Sequence, residues 1–397
     1  RKKKRYALGF LLMLLLGSYG YLAASVKAEY KVTKVYPQRV LAQELSFDWP
    51  SDGTAAIGYI GASEKVLASK GGETKLPSAS TIKLLTATVI LHQKPLGPGE
   101  DGERIYFNNA DVERTNAIAA EGGSYFPITN GMSMTYRQAL EASLVGSANN
   151  VTEKLAVWAY GGVGEYQKAA RAYLASNGIM DTAVGDTSGL SPETTTTAED
   201  LLVITQLALN IPVMKEVVST AKTQINGIDI VNTNVLVKQN NIDGVKTGYT
   251  VEAGSCLVLS KTLILGNKER TFIAVVMAQP NRDVAFLDAN RLLSVLSDNT
   301  SEITVIGRKD KVGEVSSPWG SKTIVEANSE IMMYKWKSES VEAVVNIPPM
   351  EAKKKGEKVG KASLRDKEAE LTLMEDLPGP SLRWRLTHAF DAIDKIM

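Results

Sequence analysis

The chain has 397 residues, 44% of them hydrophobic and 22% charged, which is long enough for two or three folded domains and unlike a disordered composition. Its net charge is +1, but Arg1-Lys2-Lys3-Lys4-Arg5 alone supplies +5 and leaves −4 for the remainder, so there is no electrostatic footprint for nucleic acid. One cysteine, Cys256, excludes an internal disulfide framework, and two histidines, His92 and His388, argue against a metal cluster or a Ser-His-Asp triad.

Residues 6–26 carry no charge and follow five consecutive basic residues. A secretory signal core runs about 7–15 apolar residues and a spanning helix about 20. Length favours an uncleaved anchor, while Val26-Lys27-Ala28 offers a small-residue cleavage site. In both readings the basic cluster stays cytoplasmic and the remainder is exported. Residues 1–27 are therefore expected to be a membrane anchor or signal segment. Residues 28–50, through Lys34-Val35-Tyr36-Pro37 and Asp48-Trp49-Pro50, are expected to be an extended stalk outside any core.

The expected catalytic domain spans 51–299. Residues 54–60 and 65–68 flank the polar turn Gly61-Ala62-Ser63-Glu64 and read as a β-hairpin. Then comes Pro77-Ser78-Ala79-Ser80-Thr81-Ile82-Lys83. Residues 82–91 are apolar on nearly every face, as in a helix buried all round. Their many β-branched side chains equally permit a strand, while Pro77 and the serines favour a helix start. On a helix, Ser80 and Lys83 lie one turn apart on one face, where the amine could take the hydroxyl proton. Helices are expected over 135–144 and 151–158. Between them Ser147-Ala148-Asn149 either caps a helix or aims two side chains into a shared cleft. Asp186-Thr187-Ser188-Gly189-Leu190-Ser191-Pro192 is a turn-rich loop before a helix opening at Ala198. Residues 242–250 read as a strand in which Gly248 permits close approach of another backbone. Two more strands, 255–265 and 271–278, are joined through Gly266-Asn267. Cys256 reads as a buried, inert thiol on the first of these. Strands at both ends with helices between them indicate an antiparallel sheet covered by helices, an α/β (α+β) fold.

Ser80-x-x-Lys83, Ser147-x-Asn149 and Lys246-Thr247-Gly248 follow one another at intervals of 67 and 99 residues. Ser219-x-x-Lys222 and Ser297-Asp298-Asn299 match single motifs but fall out of this order. The ordered set resembles that of penicillin-binding proteins and serine β-lactamases. In detail the chain is similar to the D-alanyl-D-alanine carboxypeptidases, low-molecular-mass penicillin-binding proteins of the S11 peptidase type. The likeness covers residues 54–297 and includes Thr197-Ala198-Glu199-Asp200-Leu201, Asn232-Thr233-Asn234 and Asp243-Gly244-Val245-Lys246-Thr247-Gly248-Tyr249-Thr250. It implies a β-lactamase/transpeptidase-like fold.

By that resemblance Ser80 attacks the penultimate D-alanine carbonyl of a peptidoglycan stem peptide and β-lactams acylate it. Lys83 takes the proton, Ser147 relays it towards the departing D-alanine, and Lys246 sets the local field. Asn149 bonds the substrate amide, the N–H groups of Ser80 and Tyr249 form the oxyanion hole with Gly248 beside them, and Thr247 and Arg282 meet the terminal carboxylate. A solvated surface arginine is the alternative for Arg282. No cofactor, metal or nucleic acid is implied. An unperturbed lysine, with a pKa of about 10.4, is only ~0.04% neutral at pH 7, so Lys83 has to be depressed by burial and by Lys246.

Ala148 and Asn150 stand where many relatives carry glycine and aspartate, and Thr187-Ser188-Gly189-Leu190 replaces a commoner Asn-Pro-x-Gly-Leu loop, which leaves cleavage of cross-linked peptides open. None of Glu153, Glu165, Glu193, Glu199 and Glu216 has an asparagine four residues on, the class A β-lactamase pattern for deacylation. A silent cell-wall binding or scaffold protein is the non-enzyme rival.

Alternating apolar residues from Ile303 to Ile347 suggest a small β-domain over 300–377, and Lys353-Lys354-Lys355-Gly356-Glu357-Lys358-Val359-Gly360 resembles the hairpin of the family's C-terminal domain. In 378–397, Leu382, Leu386, Phe390, Ile393 and Met397 share a helical face. The amphipathic helix either binds lipid, with Trp384 between two arginines, or docks on the protein itself.

Overall fold

A computed structural model describes residues 2–26, 29–62, 64–265 and 268–390. Lys27 and Ala28 of the cleavage sequence, Ser63 of the first turn, the Gly266-Asn267 turn and the C-terminal residues from Asp391, including Ile393 and Met397, lie outside the described residues. The chain forms two compact units. One is Leu45–Ser301, and the other combines Arg1–Glu44 with Glu302–Met397.

The first unit is built on an antiparallel sheet in the order Ile242–Thr250, Gly254–Leu265, Lys268–Gln279, Thr54–Tyr59, Ala68–Lys70. All six residues of Thr54–Tyr59 are buried, so this sheet is covered on both faces. Strand parity assigns the faces. Ile273, Val275 and Met277 join the large core with the helices, whereas the alternating Phe272, Ala274 and Val276 are buried outside that core. Helix Arg282–Asp298 packs on the same strands. Lys246 pairs with Val258 and Gly248 with Cys256, two residues of the large core, so both point towards the helices.

The segment 82–91 is helical. A 3₁₀ turn, Ala79–Ile82, runs into the α-helix Lys83–Gln93, in which every residue from Lys83 to Leu91 is buried. Burial on all sides outweighs the modest propensity cost of its β-branched residues. The expected helices at 135–144, 151–158 and 198 onward are Tyr136–Leu144, Asn149–Tyr160 and Ala198–Leu209. Thr135 and Thr197 cap two of them by accepting from the N–H groups of Gln138 and Asp200. The first hairpin differs. Its second strand is Ala68–Lys70 rather than 65–68, the preceding residues being used to turn the chain.

The second unit is a seven-stranded sheet ordered Lys31–Val35, Lys311–Ser316, Lys322–Ala327, Lys367–Leu373, Lys358–Leu364, Val341–Asn346, Gln38–Val40. Its two outermost strands are separated in sequence by only Tyr36 and Pro37, so the sheet curls until its edges adjoin. Residues 28–50, expected as a stalk, thus carry two strands. Tyr30 is fully buried, exchanges backbone hydrogen bonds with Met350 at 2.7 and 3.1 Å, and donates its hydroxyl to the Pro378 carbonyl. The hairpin expected at 353–360 also differs. The strands that pair are Lys358–Leu364 and Lys367–Leu373, turning at Arg365 with φ +55°.

Helix Lys2–Ser25 contains one stretch, Arg5–Ser25, long and apolar enough to cross a membrane. The C-terminal helix, Leu382–Thr387, is capped by Ser381. Trp384 stacks on His388 at 4.3 Å and meets Trp319 edge-on at 5.5 Å, while Arg385 donates to the Ala24 carbonyl at 3.1 Å.

Candidate active site

Ser80 is the second residue of the 3₁₀ turn, so its N–H is among those with no acceptor within the helix. Lys83, fully buried one turn later, directs Nζ to three oxygens: Ser80 Oγ at 2.6 Å, Asn149 Oδ1 at 2.6 Å and the Ser188 carbonyl at 3.1 Å. An amide oxygen and a carbonyl can only accept, whereas the serine hydroxyl can also donate. A protonated Lys83 donates to all three. A neutral Lys83 gives its two N–H groups to Asn149 and Ser188 and turns its lone pair to the Ser80 hydroxyl. Both protonation states are satisfied in one geometry.

Across the site Lys246 is also buried. It donates to Ser147 Oγ at 3.0 Å and to the Thr247 carbonyl at 2.9 Å. The helix after Ser147 has Ala148 as its N-cap residue, with no side-chain capping bond, so Ser147 serves the cleft rather than the helix. Its φ of +60°, and the +44° of Ala79 beside Ser80, place two non-glycine residues in the left-handed region, at a cost of about 1–3 kcal/mol each. Burial, and then the charge of Lys246, hold Lys83 well below the usual lysine range, with Asp186 opposing. Burial, and then Arg282, bring Lys246 down to about 7.

Gly248 approaches the nucleophile closely. A Cβ there would lie 3.0 Å from the Ser80 nitrogen and 3.0 Å from the Ala79 Cβ. Thr247 Oγ1 donates to Thr233 Oγ1 at 2.7 Å, and Arg282 Nη2 donates to the Thr233 carbonyl while its guanidinium lies 5.5 Å from the Phe286 ring. Ser80, Ser147, Thr233, Thr247, Tyr249 and Arg282 line one cleft of about 580 Å³, of the size of a small-molecule site. Two buried amines, two hydroxyls in hydrogen-bond contact with them and a cationic end suit acyl transfer on a carboxylate-bearing substrate.

A family model described as D-alanyl-D-alanine carboxypeptidase, Peptidase_S11, matches residues 51–281, more than half of the chain. This chain belongs to the D-alanyl-D-alanine carboxypeptidase family. It is 28% identical over 250 residues to a D-alanyl-D-alanine endopeptidase of Pseudomonas aeruginosa, covering 61% of this chain and 76% of that protein. It is also 28% identical over 204 residues to the D-alanyl-D-alanine carboxypeptidase DacA of Escherichia coli, covering 50% of this chain and 50% of that protein. Among solved structures, penicillin binding protein 5 from Haemophilus influenzae superposes with a TM-score of 0.61 at 22% identity, covering 85% of this chain and 100% of that one. Penicillin binding protein 6B from Escherichia coli does so with a TM-score of 0.63 at 21% identity, covering 84% and 97%. The fold is that of the low-molecular-mass penicillin-binding proteins.

Within this D-alanyl-D-alanine carboxypeptidase fold the out-of-order motifs fall elsewhere. Ser219 Oγ donates to the Glu216 carbonyl and Lys222 pairs with Asp229 at 2.7 Å on the surface. Ser297 Oγ and Asn299 Nδ2 donate to carbonyls of their own helix. Cys256 is buried, its thiol pushed up to about 11 by burial. Sequence reasoning assigned no role to Thr233, which joins Thr247 to Arg282, or to the Ser188 carbonyl on Lys83. It also missed Ser124, a cleft residue whose carbonyl accepts from the Asn149 N–H at 2.8 Å. Asn150 turns away from the cleft and bonds both backbone groups of Phe126.

Proposed function

We propose that this chain is a serine D,D-carboxypeptidase that removes the terminal D-alanine from peptidoglycan stem pentapeptides through an acyl-enzyme on Ser80. The observation that carries the reading is the contact of Lys83 Nζ with Ser80 Oγ at 2.6 Å, made by an amine whose other two partners are obligate acceptors. Neutral Lys83 accepts the Ser80 proton as Oγ attacks the penultimate D-alanine carbonyl. The oxyanion is met by the N–H groups of Ser80 and Tyr249, each such donor being worth about 10²–10³ in rate. Ser147 relays that proton from Lys83 to the leaving D-alanine amine, with Lys246 setting the local field, and water then adds to the acyl carbonyl and displaces Ser80 Oγ, which regains its proton. Asn149 Oδ1 is engaged with Lys83, so its Nδ2 is the atom left to hold the substrate amide. Arg282 and Thr247 receive the terminal carboxylate, the Thr247 hydroxyl turning its proton from Thr233 Oγ1 to the carboxylate and accepting from Thr233 Oγ1 in exchange.

Penicillin should acylate Ser80 and leave slowly. Benzylpenicillin is expected to add its mass to the wild-type protein and not to Ser80→Ala, and D-alanine is expected to appear from a stem pentapeptide. Absence of both would refute the assignment, and rapid turnover of a chromogenic cephalosporin would favour a β-lactamase instead. A second reading is a D,D-endopeptidase, favoured by the 76% of the Pseudomonas aeruginosa endopeptidase that the alignment covers. Parallel incubation with pentapeptide and cross-linked dimer separates the two. The apolar helix Arg5–Ser25 supports placement outside the cytoplasm, attached to the membrane by the N-terminal segment.

A further inference from the structure

The loop that supplies the Ser188 carbonyl is organised by one carboxylate outside the three motifs. Asp186 Oδ1 accepts from the Gly189 N–H at 2.9 Å and from Thr194 Oγ1 at 2.5 Å. Oδ2 accepts from the Leu190 N–H at 2.9 Å, Ser188 Oγ at 3.1 Å and the Ser191 N–H at 3.4 Å. All five of these donors are neutral and belong to residues 188–194. Wrapped in this way, the loop turns two carbonyls inward. Thr187 accepts from Thr86 Oγ1 at 2.7 Å and Ser188 accepts from Lys83 Nζ at 3.1 Å, both acceptor residues being buried. The loop also sits hard against the nucleophile turn. Gly189 has φ +75°, and a Cβ there would lie 1.8 Å from the Ala79 carbonyl oxygen.

Asp186 therefore bears on Lys83 in two ways. Through the Ser188 carbonyl it occupies one of the two N–H groups that leave the Lys83 lone pair directed at Ser80. As a charge, it opposes Lys246 across the buried amine. The other groups facing Lys83 are the Asn149 amide and the Ser80 hydroxyl, which are neutral at working pH. Behind Lys83, Tyr166 bonds Thr86 at 2.6 Å and is itself pushed up by burial, and Arg114 lies within the field of Asp186 but is paired with Glu153 at 2.9 Å.

We propose that Asp186 is a positioning residue for the acyl transfer, which aims the Lys83 lone pair through the Ser188 carbonyl and balances the charge of Lys246 across the nucleophile. This inference rests on the serine-peptidase reading above. A loop staple alone would affect folding and leave the pH profile of the chemistry in place, and the two are separable on that basis.

The test uses the full chain in detergent and follows the second-order rate of Ser80 acylation by benzylpenicillin across pH. Lys83 acts neutral, so the rate falls on the acid side as it protonates. Asp186→Asn removes the charge that favours the protonated amine, so the acid limb should move to lower pH by about one unit. The plateau should fall about threefold to thirtyfold as the loop loosens. Thr194→Val removes one donor to Asp186 and keeps both the charge and the Ser188 carbonyl, so its acid limb should coincide with wild type. An Asp186→Asn limb at the wild-type pH overturns the inference. If that variant does not fold, Asp186→Glu decides: retained charge with altered reach should hold the limb and lower the plateau, and a wild-type plateau overturns the inference. If the wild-type chain takes no label at all, the serine-peptidase reading has failed rather than the role of Asp186.

Discussion

The two sides of the cleft use the same pair of groups, a buried lysine on a serine hydroxyl, and differ in how the amine is held. Lys83 rises from a buried helix and has two partners that only accept, so its neutral form is directed at Ser80. Lys246 comes from an edge strand and has one such partner, the Thr247 carbonyl, besides Ser147, with burial and then the charge of Arg282 lowering its pKa. The surroundings that aim a lone pair on the first side leave an orientationally freer amine on the second. The first side suits the step that must start the reaction, and the second suits relay and field.

The largest effect should come from the first side. Ser80→Ala should abolish the penicillin adduct, and Lys83→Met should lower acylation by about 10³–10⁴-fold with the protein still folded, as read by intact mass against time. On the second side, Ser147→Ala or Lys246→Met should cost about 10²-fold in D-alanine release, with an adduct still forming on long incubation. Equal losses for Lys83→Met and Lys246→Met would erase the contrast between the sides. Gly248→Ala tests what joins them. Its Cβ would stand 3.0 Å from the Ser80 nitrogen, so the strand has to retreat and carry the Tyr249 N–H away from that of Ser80, parting the two proposed oxyanion donors, and kcat should fall about 10–10²-fold while Tm changes little.

The smallest effect is on stability. The folded-state pKa of Lys246 is about 7, below the ordinary 10.5, so the unfolded chain binds more protons between those values and folding is favoured as pH rises across that window. Lys83 acts with the same sign. The gain is at most about 1.4 kcal/mol per pH unit for each lysine. Urea midpoints at neutral and alkaline pH should rise less steeply in Lys246→Met than in wild type, and parallel slopes would contradict the depressed lysine.

The side chains proposed for the chemistry stand out in the sequence because their types and order are restrictive. Ser80, Lys83, Ser147, Asn149, Lys246 and Thr247 all meet around one cleft or its buried wall. The Ser188 carbonyl was not legible, since a backbone oxygen has no residue type to betray it. Thr233 was quoted only as part of a likeness, because a threonine becomes informative only when Thr247 and Arg282 are seen on either side of it. Local pattern could not decide 82–91, where β-branching and total burial point different ways and tertiary packing settles the matter. Strand Lys31–Val35 escaped notice for a different reason. Its partner begins at Lys311, and no local window contains both.

That long pairing bears on how the chain is made. Leu45–Ser301 is an insertion within the second unit, whose first strands await partners from Lys311 onward. During synthesis the peptidase unit has all its own residues as soon as position 301 has emerged, while Tyr30 cannot meet Met350 until 320 further residues have been added. Contacts of such sequence separation form late, and domains fold as units in order of completion. The chain should therefore acquire its cleft before its second unit closes. A chain halted near residue 301 would display a formed peptidase unit preceded by unpaired strands.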